Sequence, residues 1–294
     1  VIAKIPKVDT ERFSALLQGR YGDHERDRLS EEFRKIIFEG LEGMPAARDM
    51  PGLVASLAKE YLLCSEADLQ REWGYSPSLE LETLFGINKH RSFGFFPASA
   101  YRGPFLPLLH FHPDKGLDFI IDVFNHSAEW YAHPRVPRDI EPPYEITLTF
   151  SDGTTKKQWC NARLWNLYRG TSVGPYVLQS LLMALERWLL EFAEACPDKL
   201  DELLLSILKR SNSAAVTAVV ASVATAHPHA SGETLLVLLR SRECILLDRQ
   251  RLVNESQAPS LIAEFFPQLD MSNKVYEEER KDADSPPHRR WDLE

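Results

Sequence analysis

The chain reads as a mainly α protein, an irregular α-solenoid of HEAT or armadillo-like helical repeats with one β-hairpin insertion. Three observations predict it. Between Gly174 and Leu239, apolar residues recur at helical spacing in consecutive segments punctuated by Pro and Ser. One segment, Ala214 to Ala226, consists of Ala, Val, Ser and Thr without a charge, and a helix apolar all round is buried all round. Tyr144 to Cys160 alternates with period two about Asp152-Gly153, the pattern of a hairpin.

The elements follow in order. Residues 9–40 carry two helical stripes, Phe13, Leu16 and Leu17, then Leu29, Phe33, Ile36 and Ile37. Between them the mixed-sign run from Asp23 to Arg28 reads as a solvated connection. Leu53, Leu57 and Leu62 predict a helix ending near Cys64, and Ser65 before Glu66 and Asp68 offers the next N-cap. Residues 86–107 are aromatic among Gly and Pro, a loop pinned to a core. A helix over 106–131 is interrupted at His112-Pro113, because Pro at the first helical position sacrifices no backbone bond. Its stripe is Leu117, Ile120, Ile121 and Phe124.

The hairpin strands are Tyr144–Phe150 and Thr155–Cys160, with Asp152-Gly153 as a two-residue turn of positive φ. A lone hairpin is marginal in water, so this one must lie against helices. Gly174-Pro175 opens a long helix whose inner stripe runs from Leu178 to Phe192, with Glu186, Arg187, Glu191 and Glu194 on the solvated face. Cys196-Pro197 ends it and opens the next. The Ser211–Ser213 cluster caps the uncharged helix, His227-Pro228 stops it, and Ser231 starts another. Two or three helices in about 40 residues is the period of such repeats. The charged stretch from Lys274 reads as a linker or the approach to a further helix. The expected division is an N-terminal helical region, 1–95, and a repeat region, 96–294, interrupted by the hairpin at 144–160.

The 294 residues and 44% apolar content allow a sizeable core. The formal net charge of -9 argues against a nucleic-acid grip, which needs a basic face. Val1 in place of Met, with no signal peptide, implies a segment cut from a longer polypeptide. The uncharged stretch Ser211 to His229 is too short and polar to span a bilayer. Cys64, Cys160, Cys196 and Cys244 form no CxxC pair, as expected of buried thiols in a cytosolic protein.

Chemistry has few candidates. His110-Phe-His112 with Asp114 and Asp118 resembles a metal cluster, but i and i+2 share a face only on a strand. Neither a phosphate loop with its Lys nor a GxSxG elbow occurs. Gly170 to Gly174 leaves room for a weak anion site at a helix N-terminus. The most unusual stretch is Asn161 to Gly170, where Arg163 and Arg169 interleave with Trp165 and Tyr168. Arg and aromatics are the side chains enriched at interface hot spots, so these four are the candidate partner-binding residues; the structural alternative is a helix whose arginines pair with nearby acids.

Three stretches carry a resemblance: Phe96 to Leu109, Gly116 to Ser127 and Arg163 to Glu186. They look like the helical region C-terminal to the nucleoside triphosphatase core of large bacterial ATP-binding proteins, including STAND-type, AVAST-like antiphage defence ATPases. The resemblance spans about residues 96–190 and implies a sensor or scaffold region whose nucleotide site lies outside this chain, so no nucleotide residues carry over.

These readings give a non-catalytic scaffold or recognition segment of a larger cytoplasmic bacterial ATPase. It binds protein partners or other domains of its own chain, needs no cofactor and touches neither membrane nor nucleic acid. Antiphage sensing is the role the resemblance implies. The alternative is a metal-dependent hydrolase or nuclease using His110, His112 and Asp114.

Overall fold

A computed structural model describes residues 7, 9–18, 24–64, 81–88, 91, 93–133, 142–167, 174–257 and 273–294. Among them the chain is mainly helical, with one two-stranded antiparallel hairpin. The helices are α1 (Thr10–Gln18), α2 (His24–Glu39), α3 (Met44–Asp49), α4 (Pro51–Leu62), α5 (Leu81–Leu84), α6 (Phe105–Phe111) and α7 (Pro113–Ala132). After strands β1 (Tyr144–Thr149) and β2 (Thr155–Cys160) come α8 (Ala162–Trp165), α9 (Tyr176–Ala195), α10 (Pro197–Arg210) and α11 (Ala214–Ala226). Then follow α12 (Gly232–Leu239), α13 (Arg242–Gln257), α14 (Lys274–Asp284) and a 3₁₀ turn, Pro287–Arg290.

Proline sets several boundaries as expected. Pro113 and Pro197 each stand at a helix start, where their missing N–H costs no intrahelical bond. The uncharged helix α11 is the centre of the fold. Every residue from Ala214 to Ala224 is buried, and α9, α10, α12, β2 and the 3₁₀ turn surround it. Its Ala and Ser positions let these neighbours approach closely.

The hairpin packs within the chain. Its register runs from Tyr144 opposite Cys160 to Thr149 opposite Thr155. Ile146, Leu148, Phe150, Gln158 and Cys160 face inward. Gln158 donates to the carbonyls of Leu208 and Ser211 at 3.3 and 3.1 Å and accepts from Thr217 at 2.6 Å. It thereby satisfies carbonyls that the end of α10 leaves open. The turn differs from the expected one. Phe150 and Gly153 close a turn at 3.0 Å, Phe150 N bonds Thr154 O at 2.9 Å, and only Gly153 has positive φ, +80°. The loop is thus three residues, Ser151 to Gly153, with the left-handed residue last. Asp152 does not have positive φ, and its carboxylate accepts the Thr154 amide at 2.9 Å.

Three further expectations are corrected. Leu29 and Ile36 face outward, and α2 instead buries Phe33, Ile37 and Phe38. Glu186 is not solvated: it is 3% exposed and accepts from Ser222 at 2.6 Å and from Arg289. The stretch from Lys274 is not a linker. It folds back as α14 and the 3₁₀ turn, burying Glu279, Arg280, His288 and Arg289. A second covering element therefore buries Glu186, which the charge pattern of α9 alone could not indicate, while Glu191 and Glu194 stay exposed.

The buried apolar cluster is continuous from Phe13 to Leu293 and crosses the expected 95/96 boundary, where Phe95 stacks on Phe105 with ring centroids 6.0 Å apart. Helices α3 and α4 lean on α6 and α7.

Candidate functional site

Of the four residues proposed from sequence, the structure describes Arg163 and Trp165. Trp165 is fully buried, and its indole N–H donates to Asp248 at 3.3 Å, tying α8 to α13. A side chain in that position supports the core instead of anchoring a partner. Asn161 caps α8 by accepting the Leu164 amide at 2.9 Å, which directs Trp165 inward. Arg163 is half-buried. Tyr168, Arg169 and most of the Gly170–Gly174 stretch lie outside the described residues, as does Ser65.

The histidine cluster is dispersed. His110 Nε2 meets Glu191 at 2.6 Å, His112 Nε2 meets the Arg48 carbonyl at 2.8 Å, and Asp118 pairs with Arg210. Asp114 is exposed in the first turn of α7. Among the described residues no group of three His, Cys, Asp or Glu side chains is disposed to hold a metal ion. Nor is any described helix long and apolar enough to cross a membrane.

One concavity lies against the end of α11. It is an open groove of about 480 Å³ between the end of α11, α12, α13 and the segment after α14. Leu235, Leu239, Leu252, Trp291 and Leu293 supply its apolar wall, and Arg290, Asp292 and Glu294 its polar edge. Trp291 is 50% exposed and Leu239 42%. Leu236, Leu246 and Val253 are further exposed apolar side chains of α12 and α13.

Local physics explains why α12 presents this face. It holds eight residues, five of them the run Leu235 to Leu239. One short helix can turn only part of such a run to the core, so Val237 and Leu238 are buried while Leu236 and Leu239 stay out. Asp201 of α10 holds its first turn, accepting the amides of Glu233 and Thr234 at 2.9 Å each. Ser231, expected as the cap, instead donates backward to the His227 carbonyl at 2.8 Å.

Buried ionic contacts fix the groove's far wall. Arg251 bonds Asp248 at 2.7 Å, and both side chains are 5% exposed. Asp248 also accepts the Leu293 amide at 3.1 Å, and Arg251 donates to the Trp291 carbonyl at 2.5 Å. Trp291 and Leu293 are therefore placed by main-chain bonds. Sequence reading missed Trp291, although an aromatic in a polar tail was its signal, and missed α13, whose polar and apolar residues alternate too irregularly for a clear stripe.

A second cleft, about 220 Å³, lies between α9 and α14 and is lined by Glu186, Arg187, Glu191, Glu279 and Arg289 among others. Within it Arg187 meets Glu191 at 3.2 Å and Glu279 at 3.5 Å. No family model matches the chain, and no curated protein matches its sequence.

Proposed function

We propose that this chain is a non-catalytic helical recognition scaffold whose groove takes the apolar face of an amphipathic segment from a protein partner. The observation that carries the reading is the groove at α12 and α13, with half-exposed Trp291 and Leu239 on its wall. Its volume lies within the roughly 300–1,000 Å³ of binding pockets. Tryptophan beside aliphatic side chains, with a charged rim, is the composition of an interface centre. An apolar helix face with anchors one turn apart fits such a groove.

The helical-repeat arrangement belongs to the same reading. Helices α9 to α13 each pack on the next, as nearest neighbours do in a repeat array. The resemblance over residues 96–190 supports a place within a larger cytoplasmic bacterial ATPase, where the groove serves antiphage sensing.

Peptide display on the intact chain tests the proposal, with Leu239→Glu and Leu252→Glu variants as counter-selection. The expected outcome is enriched peptides with apolar residues at i and i+4 that lose binding to both variants. Enrichment of none, or of peptides indifferent to both substitutions, overturns it.

A further inference from the structure

We infer that the segment 273–294 is a seated strap that builds the recognition groove, so that strap seating and groove occupancy are thermodynamically coupled. The inference rests on the groove reading and adds its regulation.

Half of the groove belongs to the strap: Arg290 to Glu294 face Thr225, Pro228 and the leucines of α12 and α13. Without the strap, the remaining leucines form an open face with no far wall. The strap's seat lies elsewhere, against α9 and the 98–100 turn. Glu279 accepts from Ser99 Oγ at 2.5 Å and Ala100 N at 2.8 Å. Arg280 donates to the Ala98 carbonyl at 3.1 Å and to Gln179 at 3.4 Å. Arg289 pairs with Glu186. None of Glu186, Glu279, Arg280 and Arg289 lines the groove.

The chemistry of this seat distinguishes the strap from the core it lies on. Helix α11 is held by apolar burial along its whole length. The strap has only two large apolar side chains below a tenth exposed, Tyr276 and Leu293, and is otherwise held by hydrogen bonds and ion pairs. Water replaces polar contacts on release, so each contributes little net stability. Apolar burial has no such substitute. Arg280 Nε is buried without a hydrogen-bond partner, so the seat is not fully satisfied even when closed. Elements of this kind open locally at lower free energy than the global fold. A partner in the groove then binds only the seated state and must favour seating, while releasing the strap must lower the partner's affinity in proportion to the fraction of chains left seated.

The experiment uses the full chain. Arg289→Leu leaves the Glu186 carboxylate buried opposite an alkyl group, and Glu186→Leu combined with Arg289→Leu replaces the pair by apolar contact, a change often neutral or stabilising. Three readouts are needed: hydrogen exchange of the α14 amides, affinity for a groove-selected peptide, and the fluorine resonance of 5-fluorotryptophan at position 291, assigned by its loss in Trp291→Phe. In Arg289→Leu, α14 should exchange at least tenfold faster, the 291 resonance should shift, and peptide affinity should fall in proportion to the seated fraction that the resonance reports. The double variant should restore all three. In the wild type, peptide should slow exchange in α14. Equal peptide affinity in wild type and Arg289→Leu, with the 291 resonance moved to the released position in most molecules, overturns the coupling and leaves the groove reading intact. A shifted 291 resonance that the double variant restores, with no peptide binding to any form, supports strap-built geometry and removes the recognition reading. If Arg289→Leu fails to fold, wild-type α14 exchange unchanged by bound peptide is the overturning result.

Discussion

Glu279 accepts the backbone amide of Ala100 at 2.8 Å across 179 positions of chain. The bond joins α14 to the turn that precedes α6, and Ser99 Oγ reaches the same carboxylate oxygen. A buried carboxylate used this way acts as a main-chain cap supplied from a distant element, comparable in chemistry to an N-cap. Arg187 at 3.5 Å supplies compensating charge.

Glu279→Leu should therefore leave the Ser99 hydroxyl and Ala100 amide without their acceptor. The expected cost is about 1–3 kcal/mol for a buried unsatisfied group. Glu279→Gln keeps an acceptor and should cost less. Thermal unfolding of the two variants beside wild type checks the order, and equal melting temperatures for Leu and Gln refute it.

Gly153 has φ of +80° and open space where a Cβ would stand. Gly153→Val should lower stability by backbone strain alone, on the order of 1–3 kcal/mol, and Gly153→Asn by less, because Asn tolerates the left-handed region. A melting temperature unchanged by Val would show that the loop relaxes freely.

The legible part of this fold was what local chemistry determines. Proline positions marked the starts of α7 and α10, and the absence of charge marked α11 as central. The hairpin pattern gave both strands, but Asp152-Gly153 suits a two-residue turn and the three-residue loop equally well, so the loop type was not decided locally. What escaped depends on contacts far apart in sequence. Glu186 reads as a solvent-facing helix residue until Arg289, 103 positions later, covers it. Trp165 carries the composition of an interface anchor, yet Asp248 of a later helix draws it inside. The groove was invisible because half its wall comes from a tail whose charges suggest a linker.

Burial pushes the Glu39 carboxyl above its ordinary value, while the hydrogen bond from Tyr61 at 2.6 Å opposes that shift. With the folded-state value raised, the folded protein binds more protons than the unfolded chain at pH just above 4.5. Glu39 thus costs stability at neutral pH, and that cost is relieved as pH falls toward the unfolded value. Relative to Glu39→Gln, the wild type should gain melting temperature on acidification from pH 7 to about 5. A difference that is flat or of opposite slope refutes the assignment.

The four cysteines are all thiols, and two are buried. Burial pushes Cys160 up strongly and Cys244 up to about 12, against a hydrogen bond with Ser241 that lowers the latter. Since the thiolate is the nucleophile, both should resist alkylation at pH 8 in the native protein. Mass spectrometry after brief iodoacetamide treatment should find modification at Cys64 and Cys196 before either buried site. Early modification of Cys160 would show that the hairpin opens readily.

The most direct test of the recognition reading is where a bound partner segment protects the backbone. Hydrogen exchange of the full chain, with and without a groove-selected peptide, should show new protection in residues 232–257 and 287–293. The helix carrying His112 and Asp114 at its start should be unchanged. Protection confined to α7 or to the Arg163 face, with 232–257 unaffected, would contradict the account.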